Sequence, residues 1–126
     1  MSANLLAGRD VLLVEDETLI SFLVEDMLRE LGAGSIRHAA RLSIARELIA
    51  QNTPALAVLD VNVAGDLVFP LAESLVALGV PLLFTTGYGR AGFDARWAAA
   101  EVMQKPFNLA SLERALRLVL KDPAHA

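Results

Sequence analysis

The sequence predicts an α/β protein: a doubly wound (βα)5 fold, five parallel strands with helices on both faces. Three observations carry that expectation. Short unbroken apolar runs at residues 11–14, 55–59 and 80–84 have the length and two-sided hydrophobicity of strands buried inside a parallel sheet. Between them lie stretches with apolar residues at helical spacing, closed by Gly32, by Pro54 and by Gly79. The runs also end in acid or hydroxyl residues, at the sheet edge where open α/β folds place their ligand crevices.

Taken in order, residues 11–14 form the first strand and run into Glu15-Asp16-Glu17. Leu19, Ile20, Leu23, Val24, Met27, Leu28 and Leu31 then repeat at 3.6-residue spacing, with Gly32 as the stop. Residues 35–39 read as a short edge strand, and Leu42, Ala45, Leu48 and Ile49 as a shorter helix ended by Asn52-Thr53-Pro54. Residues 55–60 carry the central strand into Asp60. A third helix follows through Val68, Leu71, Ala72, Leu75 and Leu78, with Pro70 in its first turn, where a missing N–H costs little. The strand at 80–84 leads into Thr85-Thr86-Gly87-Tyr88-Gly89. From there to about residue 95 the chain is glycine-rich and aperiodic, so any helix is expected to be short. Val102, Met103 and Gln104 make the last strand. Lys105-Pro106-Phe107 follows, then a helix capped by Asn108 and ended by Pro123.

Composition narrows the function classes. A chain of 126 residues with 55% hydrophobic content is long enough for one cored domain and too apolar for disorder. It is read as a single domain over 1–126 with no output domain after the last helix. Net charge is −4 and the basic residues form no run, so neither a nucleic-acid nor an anionic-membrane footprint is present. There is no cysteine for a disulfide framework or thiolate metal site, and His38 and His125 lack ligand spacing. No apolar run approaches bilayer-spanning length and no secretory signal opens the chain; a cytoplasmic location is the expectation.

Strand order 2-1-3-4-5, flavodoxin-like, makes the first and third strands neighbours at the switch point. Glu15 and Asp16 would then converge with Asp60, while Thr86 and Lys105 arrive from the fourth and fifth strands. Crowded carboxylates repel and call for a cation, and hard oxygen ligands suit Mg²⁺. A threonine hydroxyl and a lysine add a donor and a fixed charge for phosphoryl oxygens. Each residue has an ordinary alternative: Asp60 capping its turn, Glu15-Asp16-Glu17 as acids favoured at a helix N-terminus, Thr86 satisfying backbone, Lys105 simply solvated. Their arrival at one edge in the right strand order favours a joint site.

The set Val14-Glu15-Asp16, Leu59-Asp60-Val61-Asn62, Thr86-Gly87 and Lys105-Pro106-Phe107 resembles the receiver domain of two-component response regulators along essentially the whole chain. The resemblance implies a phosphoacceptor, Asp60. It implies a Mg²⁺ site of Glu15, Asp16, Asp60 and the Asn62 carbonyl, with Thr86 as switch hydroxyl and Lys105 as phosphoryl-binding lysine after a cis Lys105–Pro106 bond. Phe84-Thr85-Thr86-Gly87-Tyr88 is similar to the signature of the single-domain "FAT GUY" branch, whose partners are sensor histidine kinases of the HWE and related classes. The expected function is a stand-alone receiver in a phosphorelay, assisting its own phosphorylation and dephosphorylation without turning over a small substrate. The alternative is a pseudo-receiver that binds a partner without being phosphorylated.

Two other classes fit less well. A phosphatase using Asp60 as nucleophile needs a general acid at position 62, and Asn62 cannot serve. A dinucleotide binder needs a glycine-rich turn where Val14-Glu15-Asp16-Glu17 stands. The chain also departs from the usual receiver: Val102 takes the place of a switching aromatic, Gly87 stands where alanine is common, and Ala64-Gly65 stands in a loop that usually has proline. The segment 87–92 is therefore the expected moving part, with Tyr88 as readout.

Overall fold

The structure, a computed structural model, describes residues 4–90 and 92–120. In chain order it contains β1 (Asp10–Val14), α1 (Thr18–Glu30), β2 (Ser35–Ala39), α2 (Leu42–Gln51), β3 (Leu56–Asp60), the two-residue strands β4 (Asn62–Val63) and β5 (Asp66–Leu67), α3 (Phe69–Ala77), β6 (Leu82–Thr86), a 3-10 turn (Ala95–Trp97), β7 (Val102–Gln104) and α4 (Leu109–Leu120). The main sheet runs β2-β1-β3-β6-β7, every pair parallel. Among these five strands that is the expected 2-1-3-4-5 order.

Alternation along the strands sends successive side chains to opposite faces. Leu12, Val14, Ala57, Leu59 and Phe84 pack under α2 and α3, while Val11, Leu13, Leu56, Val58 and Leu83 pack under α1 and α4. β3 is buried at every position, as a central strand covered on both sides must be. Both glycine stops behave as read. Gly32 and Gly79 adopt positive φ, and the residue after each donates to the carbonyl five back, Ala33 to Leu28 and Val80 to Leu75. Pro70 lies in the first turn of α3. Asn108 accepts from the Ser111 N–H at 2.9 Å while Ser111 Oγ accepts from Asn108 N–H at 3.0 Å, a reciprocal cap that starts α4. Pro123, expected to end that helix, lies outside the described residues, as does His125.

One boundary differs from the sequence reading. The fourth main strand was placed at 80–84, whereas the ladder spans Leu82–Thr86. Pro81 has no N–H to donate, so its carbonyl only accepts from Ala57 as the chain enters the sheet. The fourth crossover has no α-helix, only the turn Ala95–Trp97, in line with its aperiodic sequence. That crossover is anchored all the same. Phe93 and Trp97 pack edge-on against Phe84, with ring centres 5.4 Å and 5.3 Å away, and both rings also meet Phe69. Arg90 donates to the Trp97 and Ala100 carbonyls across the loop.

Candidate functional site

Register alone assembles the site. Val14 lies abreast of Leu59, so Glu15 and Asp60 leave adjacent strands side by side. Asp60 pairs with Thr85, and Thr86 with Gln104, which brings Lys105 alongside; its N–H donates to the Thr86 carbonyl at 2.8 Å. The Lys105–Pro106 bond is cis. An open cleft of about 690 Å³ results, lined among others by Asp16, Glu17, Asp60, Thr86, Tyr88 and Lys105.

Within it one ammonium faces three carboxylates. Lys105 Nζ lies 2.9 Å from Glu15, 3.2 Å from Asp60 and 3.4 Å from Glu17. Glu15 and Asp60 are buried, at 2% and 7% exposure. Burial, the dominant cause, pushes both of their carboxyls above the ordinary range even though the Lys105 charge pulls the other way. For Lys105 the largest influence is also burial, which alone would lower it, but the Glu15 hydrogen bond and the charges of Asp60 and Glu15 together leave it raised. Glu15 is held further by the Glu17 N–H, which donates to its Oε2 at 3.0 Å. His38 Nε2 sits 2.7 Å from the Glu15 carbonyl.

Beyond Asp60 the chain makes a tight hairpin from β4 to β5, which the sequence reading saw only as a turn. Its two loop residues, Ala64 and Gly65, both take positive φ (51° and 90°), as such a turn requires. The Ala64 N–H donates to Asp16 Oδ2 at 3.0 Å, and Gly65 N–H to Asn62 Oδ1 at 3.1 Å. Val61 accepts from Val68 N–H, so pairing alternation leaves Asn62 and Leu67 without mutual ladder bonds and the Asn62 carbonyl outside the ladder. Thr86 is buried, its Oγ accepting from Tyr88 N–H at 3.0 Å. Tyr88 itself is 82% exposed and does not pack on the strand edge in this state.

The donor set fits a hard divalent cation. Glu15, Asp16 and Asp60 offer carboxylate oxygens that all lie within 4.8 Å of one another, and among the described residues they form the only such group. All six residues singled out from the sequence therefore meet at one edge. Four residues escaped that reading: Glu17 through its side chain, the anchors Phe93 and Trp97, and Ala64 through its N–H. Glu17 had been grouped with its neighbours as a helix-start acid. No spacing rule links it to a lysine 88 positions away.

No protein-family model matches the chain, and no curated protein does. Solved structures do. SdrG from Sphingomonas melonis Fr1 is 33% identical with a TM-score of 0.80, covering 90% of this chain and 98% of its own. The receiver (REC) domain of the response regulator PhyR from Erythrobacter litoralis is 29% identical with a TM-score of 0.81, covering 90% of each chain. SdrG in its BeF3-activated conformation, from Pseudomonas melonis Fr1, is 32% identical with a TM-score of 0.76 over 95% of this chain and 99% of its own. No helix among the described residues is long and apolar enough to cross a membrane. With a parallel 2-1-3-4-5 sheet and acids at the ends of its first and third strands, the chain belongs to the response regulator receiver domains, a family of signalling modules.

Proposed function

We propose that this receiver accepts a phosphoryl group on Asp60 from the phosphohistidine of a sensor kinase or phosphotransfer protein. The observation that carries the reading is the setting of Asp60: 3.2 Å from the Lys105 ammonium and within 4.8 Å of donor oxygens on Glu15 and Asp16. A carboxylate oxygen of Asp60 attacks phosphorus in line. The O–P bond forms as the P–N bond breaks, and the imidazole leaves with the electron pair of that bond. Lys105 offsets charge on the phosphoryl oxygens. The Thr86 hydroxyl donates to one of them while its oxygen still accepts from Tyr88 N–H. Positioning and charge neutralisation are the main things a protein contributes to phosphoryl transfer.

Mg²⁺, held by Asp16, Asp60 and the Asn62 carbonyl with Glu15 in support, would supply the positive charge that the phosphoryl oxygens require. A cytoplasmic location follows from such a kinase partner, and Phe84-Thr85-Thr86-Gly87-Tyr88 favours an HWE-class kinase. The solved BeF3-activated form of SdrG supports the same chemistry for a relative of this chain. The test is amide NMR with Mg²⁺ and beryllofluoride, alongside mass spectrometry after acetyl phosphate. Wild type should gain one phosphoryl group and show shifts around residues 60, 86 and 105, and Asp60→Asn should show neither. Equal labelling of the variant would move the acceptor elsewhere, and no labelling of wild type by any donor would favour a pseudo-receiver.

A further inference from the structure

We propose that Glu17 is a positioning residue that holds Lys105 in the resting site and competes with an incoming phosphoryl group for its ammonium. The inference rests on the phosphoacceptor reading of Asp60. An ammonium has three N–H donors, and here three carboxylates claim them: Glu15 at 2.9 Å, Asp60 at 3.2 Å and Glu17 at 3.4 Å. A phosphoryl oxygen gains a bond from Lys105 only by displacing one of the three. The Glu17 bond is the longest, and its acid is 63% exposed where the other two are buried, so it is the bond most readily given up.

Two further observations separate Glu17 from its neighbours. It occupies the N-cap position of α1, where a polar side chain usually turns back to satisfy the helix, yet its carboxylate makes no capping bond. It also stands outside the group of oxygens that could share a cation, which comprises Glu15, Asp16 and Asp60. When the charge of those acids is taken up by a cation, Glu17 is the acid left facing the lysine. Its backbone serves the same end, since the Glu17 N–H fixes the Glu15 carboxylate that also binds Lys105.

The experiment measures beryllofluoride affinity by NMR at fixed saturating Mg²⁺ for wild type, Glu17→Gln, Glu17→Asp and Asp60→Asn. The ¹⁵Nζ resonance of Lys105 is followed in the metal-free proteins. Gln keeps the length and the backbone N–H but removes the charge; Asp keeps the charge but falls one methylene short. Both should tighten beryllofluoride, by about two- to fivefold for the loss of one exposed ion pair. Both should shift the Lys105 resonance. Wild-type affinity in both variants overturns the proposal, as does an unmoved Lys105 signal. Wild-type affinity in Glu17→Asp alone also overturns it, because a general charge effect then suffices. If wild type does not bind beryllofluoride, or Asp60→Asn binds it equally well, the phosphoacceptor reading fails; the Lys105 resonance still reports whether Glu17 holds the lysine.

Discussion

The two ends of the sheet each carry an ionic cluster, and they are built on opposite plans. At the N-terminal edge Arg37 meets one carboxylate, Asp10, through two nitrogens at 2.7 Å and 3.3 Å. Two more of its donors go to the carbonyls of Leu48 (2.6 Å) and Asn52 (2.8 Å) at the end of α2, and Ser35 completes Asp10 at 2.7 Å. Charges balance and four of the five guanidinium N–H donors have partners. At the C-terminal edge a single ammonium serves three acids with Asp16 beside them, so negative charge is left over. The first cluster ties β1, β2 and α2 together. The second is short of positive charge in the same place where a phosphoryl group and a cation would supply and share it, which is the mark of a site rather than a clamp.

The largest expected effect tests the clamp. Arg37→Met removes the fork and strands a half-buried Asp10 together with two helix-end carbonyls. Urea denaturation should show a loss of about 2–3 kcal/mol, the scale of breaking a partly buried, hydrogen-bonded pair. Beryllofluoride affinity of the folded variant should match wild type. A loss under about 0.5 kcal/mol would reduce the cluster to an ordinary surface pair.

The opposite sign is expected at the other end. Burial holds the Asp60 and Glu15 carboxyls above their ordinary 3.8 and 4.5, so ionising them costs the folded state more than the unfolded one. That penalty is absent below the ordinary values, grows as pH rises toward the raised folded ones, and is full above them. Lys105 runs the other way: its contribution is complete below 10.5 and is lost as pH climbs through its raised folded value. Asp60→Asn should therefore stabilise the metal-free protein at neutral pH, by about 1 kcal/mol or roughly 4 °C in Tm. The gain should shrink on acidification into the carboxylate range, and Mg²⁺ should raise the Tm of wild type more than that of the variant. A variant less stable than wild type at neutral pH would mean that the Asp60–Lys105 attraction outweighs burial.

This asymmetry explains what could be read from the residues alone. Strands 1, 3 and 4 announce themselves because a strand buried on both faces has no polar alternation to disguise it, and their C-terminal acids follow from register. Asp60, Glu15, Asp16 and Thr86 were legible for that reason, and Lys105 from its place directly after the last strand, Val102–Gln104. Asn62 came from resemblance. The β4–β5 hairpin was not legible, because it needs Ala64 at φ 51°, a conformation that an alanine does not advertise. Phe93 and Trp97 sit in a segment without period, so nothing in their spacing marked them as anchors. The Arg37 clamp and the Glu17–Lys105 contact escaped for a common reason: both join charges far apart in sequence, and local pattern cannot distinguish such a charge from a solvated one.

The smallest expected effect asks whether the two ends are independent. Ser35→Ala removes one hydroxyl from Asp10, whose carboxylate keeps the Arg37 fork, so the cost should be about 0.5–1 kcal/mol, that of a single exposed hydrogen bond. Glu17→Gln removes one exposed charge from the opposite edge, with a stability change of similar or smaller size. The two residues share no partner, and β1 runs between the clusters they belong to. Unfolding free energies of the two single variants and the double variant should therefore add to within about 0.5 kcal/mol. Ser35→Ala should leave beryllofluoride affinity unchanged while Glu17→Gln shifts it. Coupling well above that margin would mean that β1 transmits strain from one edge to the other, and the clamp would then belong to the switch.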